Sequence, residues 1–144
     1  MLQTLVYQWK QNLGVDVPIR QIDPNLASTN FNAEVDQMYY FGWIADYPHP
    51  QDFLDVLFYS NSDYNYGKYA NSEVDNLIQQ ANRASDQTHS FGLYQQAEQK
   101  IVDDAACIPI SFGKSYTLVK PYVKGFSINA LGFGAFNTTS IMPH

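Results

Sequence analysis

Two carboxylates flank a proline-containing turn near the middle of the chain. The stretch GWIADYPHP (42–50) places Asp46 just after an apolar segment, and Asp52 follows the second proline. Such a pair could serve a glycosidase, which needs two acids on opposite sides of the scissile bond. However, Asp52 falls in the first turn of a helix predicted after Pro50, where the helix dipole stabilises an acid. A structural role is therefore favoured for Asp52.

Spacing alone suits Asp46 equally well to two roles. It could cap a turn, because Asp is a common turn-forming residue, or it could hold a ligand. The aromatic neighbours Trp43, Tyr47 and Phe53 favour the ligand. Rings partly desolvate a carboxylate, and an opposite charge then attracts it more strongly. The prolines at 48 and 50 would hold the acid still.

No other chemical motif has recognisable spacing. His49, His89 and His144 show no metal-ligand spacing with each other or with Cys107, and solvent-exposed histidines are the favoured interpretation. No Ser/His/Asp or Cys/His group is recognisable, and the glycines at 132 and 134 do not form a phosphate loop. The sequence therefore predicts no metal, no cofactor and no enzyme, which leaves binding.

Composition limits the class of partner. The 144 residues suit one domain, with 45% hydrophobic and 15% charged residues. A net charge of −6 argues against nucleic acid and against an anionic membrane surface. The eleven tyrosines favour contact with a ligand or partner, because each hydroxyl needs a hydrogen-bond partner. Among four tyrosines near the loop 60–71, two are predicted to pack and two to line a cleft: Tyr59, Tyr64, Tyr66 and Tyr69.

The periodicity of apolar residues predicts a mixed α/β fold. Helices are predicted at 2–13, 24–31, 51–59, 72–81 and 88–105. Strands are predicted at 15–19, 35–43, 108–112, 115–119 and 122–128. Gly14 is predicted to end the first helix, and Ser72 to cap the fourth through a capping box with Asp75. Asp46 would then follow the carboxyl end of a buried strand, where open α/β sheets place ligands.

Five segments in one order resemble a known family. They are QWKQNLGVDV (8–17), FGWIADYPHPQDFL (41–54), YANSEVDNLIQQA (69–81), LYQQAEQKIVDDAACIPI (93–110) and VKPYVKGF (119–126). Together they resemble the C-terminal portion of the family 5 extracellular solute-binding proteins of ABC importers, the oligopeptide- and dipeptide-binding group. The resemblance covers residues 2–127.

The resemblance implies one lobe of a two-lobed, type II periplasmic-binding-protein-like fold, with a mixed sheet flanked by helices. Residues 1–127 would form part of the C-terminal ligand-binding lobe. Residues 128–144 would be irregular and lead back toward the other lobe. The full-length protein would work outside the cytoplasmic membrane with ABC permease subunits. The chain would be a fragment without a signal sequence.

The resemblance also implies a ligand site. In the peptide-binding members, the Asp of the GWxADY-like motif pairs with the ligand's free α-amino group, and the matching residue is Asp46. Trp43, Ala45, Tyr47 and Tyr40 are the other predicted ligand-binding residues. Some relatives have an Arg at the position of Tyr40, so that contact with a ligand carboxylate is absent here. The implied ligand is an extended peptide held by its terminus and main chain.

Two alternatives remain open at this stage. The same fold could bind an oligosaccharide or another small solute, with sugars stacked on tyrosines. A second alternative is a stand-alone interaction module or a weak hydrolase. Because an isolated lobe would expose aromatic surface, the chain is also expected to self-associate.

Overall fold

The computed structural model describes residues 1–23 and 38–143. The chain divides into two compact units, residues 1–37 and 38–144. The predicted helix 24–31 and the first three residues of the predicted strand 35–43 lie outside the described residues. Within the described part, no helix has the length and apolarity needed to cross a membrane.

The first unit contains one described helix, α1 (Leu2–Leu13). Gly14 ends it in the left-handed conformation (φ 68°), and its N–H donates to the carbonyl of Lys10. Lys10, in the last turn, interacts favourably with the helix dipole. Its Nζ lies 3.1 Å from the carboxylate of Asp16. The predicted helix and its glycine cap are confirmed. The predicted strand 15–19 is wrong, because those residues are not in a strand.

Three helices form the centre of the second unit: α2 (Gln51–Phe58), α3 (Ser72–Arg83) and α4 (Gln87–Asp103). These confirm the three helices predicted from periodicity in this part of the chain. The short connection 84–86 turns α4 back against α3. Each of the two helices forms its backbone hydrogen bonds within its own segment, so neither needs a neighbouring chain for them.

Side-chain caps begin α3 and α4. The Asn71 side chain accepts from the N–H groups of Glu73 and Val74, so the predicted cap at Ser72 is wrong by one residue. The acid expected to complete that capping box, Asp75, instead accepts from the Ser60 N–H at 3.0 Å. Each such cap satisfies donors that the helix leaves unpaired and contributes about 1 kcal/mol.

The hydrophobic core lies where the three helices meet. Its buried members are Leu54, Val74, Ile78, Ala81, Leu93, Tyr94, Ala97 and Ile101. The Tyr94 hydroxyl donates to Asn82 Oδ1, and burial, followed by the charge of Asp55, raises the pKa of Tyr94 to about 12. Ser90 Oγ donates to the Ala81 carbonyl at 2.8 Å. These polar groups at the edge of the core are therefore hydrogen-bonded.

One buried asparagine closes the loop between α2 and α3. Asn65 Nδ2 donates to the carbonyls of Tyr59 and Tyr69 at 3.2 and 2.7 Å. Its Oδ1 accepts from the Tyr69 N–H at 3.1 Å. Tyr59 and Tyr69 are partly buried against the core, which confirms that two of the four tyrosines pack. Tyr69 also donates to Asp104, and burial followed by this bond raises the pKa of Tyr69 to about 12.

Four very short strands make two antiparallel ladders near the C-terminus. β1 (Val123–Lys124) pairs with β4 (Ser140–Ile141), and β2 (Ser127–Ile128) pairs with β3 (Gly134–Ala135). The predicted strand 122–128 is therefore present as two pieces. The segment 128–144, expected to be irregular, holds two of the strands joined by turns. The boundary predicted at residue 127 stays a prediction.

Gly125 is the residue between β1 and β2 whose replacement we expect to open this pair of ladders. Its φ is +74°, and a Cβ built there would lie 2.1 Å from the Thr138 carbonyl oxygen. Gly125→Ala should therefore cost about 1–2 kcal/mol for the left-handed backbone plus the displacement of Thr138. The measurement is the rate of amide hydrogen exchange at Met142, whose N–H donates to the Tyr122 carbonyl. This rate should be higher in the variant.

Gly132→Ala is the matched control for this prediction. Gly132 also has positive φ (+85°), but nothing lies within 4 Å of a Cβ there. It should therefore show the backbone cost without the collision. Equal exchange rates at Met142 in the two variants would contradict the prediction.

Several predicted strands are extended chain without a ladder. The described residues of 35–43, and all of 108–112 and 115–119, are not in strands, so those predictions are wrong. Many of their apolar side chains face solvent, and Phe112 and Leu118 are each 97% exposed. A strand forms hydrogen bonds only with a neighbouring strand, and none lies beside these segments among the described residues. The expected self-association stays a prediction.

Candidate functional site

Asp46 lies on the surface, in the bend that leads into α2. Residues 46–49 form consecutive bends, and the Asp46 side chain is exposed. Its carboxylate has no hydrogen bond or ion pair with the residues described by the structure, while its main-chain N–H is bonded. The residue is thus held by its backbone, and its charge faces solvent.

Asp52 holds that backbone in place. Asp52 is 1% exposed, and its Oδ2 accepts from the Asp46 N–H at 3.0 Å. The same oxygen accepts from Trp43 Nε1 at 3.1 Å. Asp52 lies in the first turn of α2, as predicted, where the helix dipole stabilises its charge. The sequence did not indicate that this acid also accepts hydrogen bonds from the Trp43 side chain and the Asp46 main chain.

His49 and Pro50 begin α2 and join the bend to α4. Pro50 is the N-cap residue, with a φ of −57° that suits a helix start. His49 Nδ1 accepts from the Gln51 N–H at 3.2 Å. The His49 ring meets the rings of Phe91 and Tyr94 edge to face, at 5.4 and 5.6 Å. His49 is therefore half-buried and structural, which corrects the expectation that it is solvent-exposed.

Four rings form a continuous line that ends at Trp43, and we name them the aromatic row: Phe41, Tyr66, Tyr64 and Trp43. The successive centroid distances are 5.8, 6.3 and 5.4 Å, and every pair is edge to face. The two tyrosines come from the loop closed by Asn65. The row gives the site an apolar side with exposed ring faces, and the prediction that two of the four tyrosines line a cleft stays a prediction.

The electrostatic environment of the bend is negative. Burial, then the charges of Asp52, Asp55 and Asp46, raises the pKa of Tyr47. Three carboxylates therefore act on one phenol, and a cation placed there would be attracted by all three. The Tyr47 hydroxyl donates to Gln51 Oε1 at 3.4 Å, a weak bond that leaves the ring partly exposed.

The predicted site residues are brought together to different degrees. Trp43 and Asp46 share one oxygen of Asp52. Tyr47 lies next to Asp46 in the bend, and Ala45 is half-buried before it. Tyr40 is 53% exposed and makes no hydrogen bond or ring contact with the other four within 38–143. Among the described residues, no group of three or more His, Cys, Asp or Glu could hold a metal ion.

Similarity to known proteins identifies the family. No protein-family model matches the chain. The chain is 32% identical over 120 residues to the periplasmic oligopeptide-binding protein OppA of Escherichia coli, covering 83% of the chain and 22% of OppA. It superposes on the solved structure of the E. coli murein tripeptide-binding protein MppA with a TM-score of 0.80, at 27% identity over 99% of the chain. The chain belongs to the family 5 extracellular solute-binding proteins.

The chain matches only part of its family 5 relatives. It spans 22% of OppA and 28% of the MppA chain. A relative of equal similarity is the probable deoxycholate-binding periplasmic protein YgiS of E. coli, 34% identical over 122 residues, which cover 85% of the chain and 23% of YgiS. The predicted fold class, a mixed α/β lobe, is confirmed. Its helices match the prediction better than its strands do.

Proposed function

We propose that the complete protein containing this chain captures peptides outside the cytoplasmic membrane for an ABC importer. In this proposal Asp46 binds the free α-amino group of the peptide. The observation that carries it is the exposed Asp46 carboxylate, whose main chain is held by the buried Asp52. The names of OppA and MppA, which describe peptide binders, support the ligand class.

The energy of such a contact comes from charge and preorganisation. A hydrogen bond between a charged donor and acceptor contributes about 1.5–3 kcal/mol. A site already in its bound shape avoids the entropy cost of ordering on binding. The bend at 46–49 meets this condition through its backbone bonds and the proline at the start of α2.

Peptides suit the site better than a bile acid does. The name of YgiS describes a deoxycholate binder, so family membership by itself leaves the ligand open. Deoxycholate is an anion without an amine. The charges of Asp46, Asp52 and Asp55 act together at the bend, and they would repel a carboxylate placed there. The charge of the bend therefore supports an amine.

The other predicted contacts extend the same proposal. Trp43 and Tyr47 would border the amine, with Ala45 supplying main chain and Tyr40 lying at the beginning of the segment. The aromatic row would contact the side chains of the peptide, or the sugar faces of the alternative ligand. In the oligosaccharide alternative, truncating Tyr64 or Trp43 would reduce binding and the charge of Asp46 would matter little.

The test is calorimetry on the complete protein with matched peptides. A free dipeptide and tripeptide should bind, and the N-acetylated forms should bind about tenfold to 150-fold more weakly because acetylation removes the cation. The same peptides amidated at the C-terminus serve as the control for a change of similar size. Equal affinity for acetylated and free peptides would overturn the proposal, and binding of oligosaccharides alone would favour the alternative.

A further inference from the structure

We propose that Asp52 is the positioning residue of the amine site and that it acts through Asp46 and Trp43. This inference rests on the proposed function, because it concerns how the same site is kept in its binding shape. The central observation is that one carboxylate oxygen of Asp52 accepts both the Trp43 indole N–H and the Asp46 main-chain N–H.

The arrangement joins three parts of the site at a single atom. The aromatic row ends at Trp43, the charge of the site belongs to Asp46, and Asp52 lies in the first turn of α2. Two donors that meet at Oδ2, at 3.1 and 3.0 Å, cannot move apart without breaking a bond. The ring and the carboxylate therefore keep a fixed relation to the helix.

Burial makes the connection strong. Asp52 is 1% exposed, and hydrogen bonds to a charged group in a low-dielectric setting are stronger than neutral ones in water. The helix that holds Asp52 is itself fixed by Leu54 in the core. Removing the carboxylate would leave two donors without their acceptor and would free the bend that places Asp46.

Asp52 and Asp46 therefore have different roles in the site. Asp46 offers an exposed charge to the ligand, whereas Asp52 supplies an acceptor at one point in space. Asn at position 52 keeps an oxygen acceptor and removes the charge. Ala removes both. A positioning role predicts that Asn preserves the site and that Ala does not.

The experiment compares the affinities of the complete protein for a free dipeptide and its N-acetylated form. The ratio of the two affinities measures amine recognition. In Asp52→Ala we expect the ratio to fall about tenfold, and in Asp52→Asn to stay within about threefold of wild type. The control is Asn71→Ala, which removes a helix cap worth about 1 kcal/mol away from the bend. It should leave the ratio unchanged.

A second variant keeps the test decisive if Asp52→Ala does not fold. Trp43→Phe retains an aromatic ring beside Tyr64 and removes the indole N–H together with the five-membered ring that carries it. We expect it to lower the ratio about threefold. If Asp52→Ala does fold, the effects of the two changes should not add, because both break the same connection.

The outcomes separate the two proposals. If wild type does not discriminate against acetylated peptide, the proposed function fails and this inference fails with it. If wild type discriminates but Asp52→Ala behaves like Asn71→Ala, only the positioning role of Asp52 is overturned. An unchanged ratio in Trp43→Phe would overturn it as well.

Discussion

Replacing Asp46 with Asn is expected to weaken binding of free-amine peptides by about tenfold to 150-fold. This range corresponds to the 1.5–3 kcal/mol typical of a charge-assisted hydrogen bond. Asn has the size of Asp and leaves the main-chain N–H of residue 46 in its bond to Asp52. The loss should therefore reflect charge. Calorimetry of the complete protein with a dipeptide measures it directly.

Asp103→Asn is the matched control for Asp46→Asn. Asp103 is exposed at the end of α4, where Gln99 Nε2 donates to it, so the change removes the same charge from a distant surface. It should leave affinity close to that of wild type. Raised salt should also weaken wild-type binding more than that of Asp46→Asn, because salt screens exposed charges. Identical affinities in the two variants would remove the proposed role of Asp46.

Replacing Ile78 with Ala is expected to destabilise the helical part of the second unit by about 2–5 kcal/mol, the usual range for truncating a buried aliphatic side chain. Ile78 is 0% exposed and lies on α3 within the core shared with α4. Truncation removes buried surface and leaves a cavity that the two packed helices close only partly. Hydrogen exchange of the slowest amides in α3 and α4, measured in the complete protein, reports the free energy of opening.

Ile78→Val provides the scale for this loss. It removes one methylene from the same place and should cost about 0.5–1.5 kcal/mol. Peptide affinity, measured under conditions in which both variants are fully folded, should be similar, since Ile78 contacts the core and not the bend. A cost for Ile78→Ala no greater than that for Ile78→Val would show that α3 does not pack on α4 as described.

The helices were predictable because their stabilising bonds are local. Beyond the first turn, the backbone N–H groups of an α-helix donate to carbonyls four residues earlier, so periodicity and end residues such as Gly14 are enough to predict a helix. The cap of α3 was misplaced by one residue because Asn71 and Ser72 are both good caps. Only the hydrogen bonds of the folded chain distinguish the two.

The strands were not predictable in the same way. Alternation at 15–19 and 108–119 indicates an extended conformation, but a ladder also requires a neighbouring chain. One of the ladders that do form joins residues far apart along the chain, Val123 with Ile141, whereas the other joins Ile128 with the nearby Gly134. Alternation in one segment contains no information about the presence of that partner.

The candidate site, like the fold, was predictable from the sequence only in part. Residue types and neighbours alone indicated Asp46 as a ligand-binding acid and placed Asp52 in a helix turn. The structure alone showed that Asp52 accepts from Trp43 and Asp46, and that Asn65 closes the loop that carries two members of the aromatic row. Residue type determines which side chains can carry a charge, and local propensity favours helix in some segments. Which acid is buried and which is exposed depends on tertiary packing, because burial is a property of all the neighbours at once.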